Sequence, residues 1–146
     1  MRDDSYRLAY DGAKRRIDAV VSGYWDMAVF DRYASELLAL AARARRSGRP
    51  FDIRCDSRGY AVQSVQIAQA FAELSHLADD LNGGRATIVV GTTLLKLQAK
   101  HVFRQPNVAV FDRIHDADAW LKTGGAGNRA RARPSKSAGA DARRLI

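Results

Sequence analysis

Ala86-Thr87-Ile88-Val89-Val90 is an almost unbroken apolar run, set between the turn signals Asn82-Gly83-Gly84 and Gly91. A segment with helical periodicity lies on each side of it. Such a run suits a strand buried inside a covered sheet, and strands alternating with helices point to parallel pairing through crossover helices. This alternation argues for an α/β layer with a mostly parallel sheet.

The rest of the chain repeats the alternation. "YRLAYDG" predicts a strand over Tyr6–Tyr10 with a turn at Asp11-Gly12, and "RIDAVVS" predicts its hairpin partner over Ile17–Ser22. Asp26 is placed to accept the free amide hydrogens of a first helix. That helix carries Phe30, Tyr33, Leu37, Leu40, Ala41 and Ala44 at helical spacing, has Arg43, Arg45 and Arg46 in its last turn, and stops at Gly48 and Pro50. "FDIRC" predicts a third strand. "SVQIAQAFAELSHLADDLNGG" predicts a second helix with Ile67, Phe71, Leu74, Ala78 and Leu81 on one face. "TTLLKLQAKHVFRQ" predicts a third helix closed by Pro106, "NVAVF" a fifth strand, and "IHDADAWLK" a last helix with Asp116 as its cap. The expected class is α/β, a five-stranded mixed and mostly parallel sheet with about four helices, in the order β-β-α-β-α-β-α-β-α.

Charge divides the chain. Of its 24 basic and 16 acidic residues, residues 124–146 hold Arg129, Arg131, Arg133, Lys136, Arg143, Arg144 and Asp141. Residues 1–123 are therefore near balance, and the high isoelectric point is largely a property of the last segment. The reading is a folded domain over 1–123 and a basic, disordered tail over 124–146. No apolar run approaches the roughly 20 residues of a membrane span. The opening "MRDDSYRLAYDG" has no apolar core of a secretion signal. A single cysteine, Cys55, excludes an internal disulfide and points to a reducing cytoplasm.

The element order resembles that of the STAS domain, the fold of bacterial anti-sigma-factor antagonists. "VVSGYWDMAVFDRYASEL" is similar to that family's strand, Gly-x-x-Asp and first helix, at Gly23 and Asp26. "FDIRCDSRGYAVQS" resembles its third strand ending in an acid, here Asp56, with Gly59 three residues on. "VFDRIHDADAWLK" is similar to the close of the wider SpoIIAA-like group, which is related in fold to CRAL-TRIO lipid-transfer domains. The resemblance covers residues 6–123. It implies a protein-binding module of bacterial signalling whose partner is an anti-sigma factor or a related kinase-type regulator. It also implies a phosphorylated serine at the start of the second helix. The family's Asp-Ser-Ser-Gly is not present: the same offset from Asp56 falls on Val65, and Ser64 lies one residue early.

Carboxyl ends of parallel strands and the starts of the following helices share one rim. Asp56, Ser57, Arg58, Gly59, Tyr60, Ser64, Gly91, Thr92 and Thr93 are the expected rim residues, and all of these except Gly91 are candidate partner contacts. Ser64 reads either as a helix cap or as a phosphorylation site, Thr92 and Thr93 as caps or contacts, and Asp56 as a loop-pinning charge or a contact. Tyr24, Trp25 and Phe30 read either as core or as the lining of an apolar ligand pocket. Trp120 reads as packing for the last helix. Cys55 reads as a core thiol. His76, His101 and His115 are isolated, and "GGRATIVVG" lacks the Gly-Lys-Ser/Thr of a phosphate loop. No cofactor, metal or catalytic set is expected, and the chain reads as a non-enzyme. Three functions compete: protein docking at the rim, carriage of a lipid or other small apolar ligand, and attachment of the tail to nucleic acid or an anionic membrane. Oligomeric state is left open, a dimer included.

Overall fold

The computed structural model describes residues 5–124. Of the expected basic tail, only Gly124 is among them, as the last residue of the final helix, and 125–146 lie outside. The element order is the expected one: β1 (Tyr6–Asp11), β2 (Arg16–Gly23), α1 (Met27–Arg45), β3 (Phe51–Tyr60), α2 (Val65–Asn82), β4 (Gly83–Val90), α3 (Thr93–Val102), β5 (Val108–Phe111) and α4 (Ile114–Gly124). One five-stranded sheet runs in the order β1-β2-β3-β4-β5. β1 and β2 are antiparallel, and every later pair is parallel.

Register assigns the two faces. Ile17, Ile53, Ala86 and Val108 lie side by side, and so do Ala19, Cys55, Ile88 and Val110. This face meets α1, α2 and α3 through Phe30, Tyr33, Leu37, Ile67, Leu74, Leu95 and Ala99. The opposite face carries Asp18, Arg54, Thr87 and Ala109 in one row and Val20, Asp56, Val89 and Phe111 in the next. α4 covers its β4–β5 half, burying Ala117 and Leu121 and setting Trp120 against Phe111 at 5.9 Å between ring centroids. Charge adds to this apolar hold, with Arg16 Nη1 also 3.7 Å from Asp118 Oδ1. Arg54 Nη1 donates to both carboxylate oxygens of Asp118, at 2.7 and 2.9 Å, and Arg16 binds Asp18 beside it at 2.6 and 3.2 Å. Arg85 lies 4.0 Å above the Trp120 ring and donates to the Trp120 carbonyl at 2.9 Å.

Four boundaries differ from the sequence expectation. β3 is ten residues long and continues through Asp56–Tyr60, because β4 pairs with it as far as Ser57 and β2 as far as Tyr60, with a bulge absorbing the mismatch between Val20 and Ser22. Tyr60 thus lies in the strand, five residues beyond the expected end at Cys55. α3 ends at Val102, well before Pro106, where Phe103 turns to extended backbone and packs against Val90, Leu95 and Ala99. β4 begins directly at Gly83, whose φ of 66° closes α2. Asp116 lies in the first turn of α4 and does not precede it.

Candidate functional site

The carboxyl ends of β2, β3 and β4 meet the starts of α1, α2 and α3 along one rim. Three caps build it. Asp26 accepts from Val29 N at 3.0 Å, Ser64 from Ile67 N at 3.2 Å, and Thr92 from Leu95 N at 3.1 Å. Each side chain satisfies an amide hydrogen that the first helical turn leaves without a partner.

Gln63 binds these three entries together. It is buried, and its Oε1 accepts from the Trp25 amide at 2.9 Å. Its Nε2 donates to the carbonyls of Gly23, at 2.9 Å, and Ala61, at 2.7 Å. Its own amide donates to Gln98 Oε1 of α3, and Gln98 Nε2 donates back to its carbonyl. One amide side chain thus serves the β2–α1 turn and the β3–α2 loop, while its main chain is held by α3. Sequence reasoning passed over Gln63 and Gln98. Nothing in the composition around them marks a glutamine for burial.

Beneath Gln63 lies an aromatic cluster. Trp25 is 2% exposed, and its ring stands 5.1 Å from Tyr33, 5.2 Å from Tyr60 and 5.5 Å from Phe71. Its Nε1 donates to the Ser22 carbonyl at 2.8 Å. Phe30 is buried against Phe71. Trp25 and Phe30 are core residues and line neither of two cavities among the described residues, while Tyr24 beside them is exposed. The cavities lie elsewhere, between the sheet and α2–α3, with volumes of about 50 and 70 Å³. Both include Cys55, Phe71, Ile88 and Phe103, and both are far smaller than the roughly 300–1,000 Å³ of a drug-sized ligand site.

The other rim candidates separate into three environments. Ser57 is buried and donates to the Val89 carbonyl at 2.7 Å, so it faces inward and offers no partner contact. Tyr60 is half-buried in the aromatic cluster, with its hydroxyl enclosed and without a protein partner. Burial, and then the nearby Cys55, raise its pKa. Asp56 lies on the sheet face away from α1–α3, where Arg58 Nε and Nη2 bind its two oxygens at 2.9 and 2.8 Å. The Arg58 side-chain hydrogen bond is the largest cause holding the Asp56 carboxyl below its usual value. Ser64, Thr92 and Thr93 do lie on the rim, with Thr92 and Thr93 exposed and Ser64 half-exposed. Gly91 sits so close to β3 that a Cβ there would come within 2.6 Å of the Arg58 carbonyl oxygen.

Exposed apolar side chains surround this frame. Tyr24 is 67%, Val62 43%, Val65 73% and Leu94 69% exposed. They come from the β2–α1 turn, the β3–α2 loop, the start of α2 and the first turn of α3. Leu94 lies one helical turn before Gln98, on the same side of α3. Burial, and then the charge of Asp56, push the Cys55 thiol from 9.0 up to about 12, so it is protonated and unreactive at neutral pH. Among the described residues no three His, Cys, Asp or Glu side chains come together as a metal site, and no helix is long and apolar enough to cross a membrane. No family model matches the chain, and no curated protein matches it.

Proposed function

We propose that the chain is a non-catalytic, STAS-like docking module of bacterial regulation, acting in the cytoplasm, and that it binds a protein partner at the strand-carboxyl rim. The observation that carries this reading is the apolar surface formed by Tyr24, Val62, Val65 and Leu94 around Gln63. Apolar groups gathered on a rigid frame suit the desolvated centre of a protein interface. The anchored loops lose little freedom on binding, which favours affinity. The resemblance to anti-sigma-factor antagonists names the partner class, an anti-sigma factor or a related kinase-type regulator. Ser64 stands beside Val65 at this surface. A phosphate there would add nearly two negative charges to the docking face while leaving the fold in place.

The test uses the full chain as bait in its native host, with partners identified after cross-linking. Leu94→Ser and Val65→Ser should keep the melting temperature and lose the captured regulator. Equal capture by the wild type and both variants would refute docking at the rim. Ser64→Asp should dock more weakly than Ser64→Ala, and equal docking by both removes the phosphate switch while leaving the docking surface intact.

A further inference from the structure

β1 is an edge of the sheet. Its six residues run without a bulge, and none is proline or lysine, devices that commonly protect edges. The other edge, β5, has four residues.

The direction of its backbone groups follows from the hairpin. Ser22 N donates to the Ser5 carbonyl at 2.9 Å, and the register continues Arg7↔Val20, Ala9↔Asp18 and Asp11↔Arg16. In an antiparallel ladder, hydrogen-bonded pairs alternate with non-bonded ones. Arg7, Ala9 and Asp11 thus turn their amides and carbonyls toward β2. Tyr6, Leu8 and Tyr10 turn theirs outward.

We infer that two copies of the chain pair through β1 about a two-fold axis at Ala9, joining their sheets into one. This register sets Leu8 opposite Tyr10 of the second copy, so that outward amides meet outward carbonyls. It sets Arg7 opposite Asp11 in the closer, non-hydrogen-bonded class of pair, where opposite charges reinforce pairing. Ala9 meets Ala9 on the axis, with no bulk to hold the strands apart. The two-fold repeats the Arg7–Asp11 pairing on the other side. Centring on Leu8 would set Arg7 against Ala9, and centring on Tyr10 would set Asp11 against Ala9. Only the register at Ala9 joins the charges. Arg7 and Ala9 are exposed within a single chain.

Sedimentation equilibrium of the full chain should give a concentration-dependent dimer. Arg7→Glu places like charges across the axis at both ends of the pairing, and should raise the dimer dissociation constant by about tenfold or more with the fold intact. Arg7→Lys should leave it nearly unchanged. Ala9→Cys should oxidise to a disulfide-linked dimer, because a non-hydrogen-bonded pair brings the two Cα atoms to about 4.5 Å. Arg7→Cys and Leu8→Cys should not, since each faces a different residue. A monomer at every concentration overturns the inference. So does a dimer that Arg7→Glu leaves unchanged, or one in which Leu8→Cys cross-links and Ala9→Cys does not.

Discussion

Gln63 and Gln98 exchange two hydrogen bonds: the Gln63 amide donates to Gln98 Oε1, and Gln98 Nε2 donates to the Gln63 carbonyl, each at 3.1 Å. This exchange latches α3 to the loop that opens α2. The Gln63 side chain meanwhile holds Trp25, Gly23 and Ala61 in place.

Removing the two side chains should have unequal effects. Gln63→Ala strands the buried Trp25 amide and two carbonyls, and should lower the unfolding free energy by about 2–4 kcal/mol. Gln98→Ala loses bonds at a more exposed position and should cost about 1 kcal/mol. Urea titration measures both, and a larger loss for Gln98→Ala would show that Gln63 is not the centre of the frame.

Alkaline pH should weaken the fold through Cys55. The folded thiol ionises near 12 and the unfolded one near 9.0. Between these values the unfolded chain releases a proton that the folded chain keeps, so stability is full below the lower value and falls above it. The loss is about 1.4 kcal/mol per pH unit for one group. Tyr33 and Tyr60, also raised by burial, extend the fall at higher pH. In denaturation series from neutral pH upward, Cys55→Ala should delay the onset of the decline. An unchanged onset would remove Cys55 as its source.

Gly91 and Gly12 give a contrast in steric room. A Cβ at Gly91 would meet the Arg58 carbonyl oxygen at 2.6 Å, and a main-chain atom inside β3 yields less readily than the end of a side chain. Gly91→Ala should cost about 1–3 kcal/mol. At Gly12 the nearest atom is Tyr10 Cε2 at 3.8 Å, an ordinary contact, and Gly12→Ala should stay within about 0.5 kcal/mol of the wild type. Thermal melts of the pair decide it, with equal shifts counting against the close approach at Gly91.

α4 should loosen without its charge anchor. Asp118→Ala leaves Arg54 with the weaker Asp18 contact at 3.6 Å. The expected cost is about 0.5–1 kcal/mol at low salt, since Asp118 is partly exposed, and less in about 1 M salt. Amide exchange should quicken in α4 before it changes in α1. Uniform quickening would mean that the ion pair supports the whole domain.

Much of the fold was legible because local chemistry and tertiary structure agree. Asp26, Ser64 and Thr92 each cap the helix they precede, and the spacing from Phe30 to Ala44 marks the face that α1 buries. β3 ran further than its apolar stretch because strand pairing, not hydropathy, extends it through Asp56–Tyr60. The rim's location followed from parallel topology, but its division did not. Once pairing carries β3 past Cys55, strand alternation puts Ser57 on the inward side with Ile53 and Cys55 and puts Asp56 on the far side, where it meets Arg58, but the apolar stretch ends at Cys55 and hides that extension. Gln63 was hidden because burial of a glutamine depends on carbonyls distant in sequence.

The strand order carries a consequence for how the chain reaches this state. Each strand from β2 onward lies beside the one before it in sequence, so no strand has to be inserted between two already paired. A nascent chain leaving the ribosome can extend the sheet one neighbour at a time, starting from the β1–β2 hairpin, with each later strand reaching its neighbour over one intervening helix.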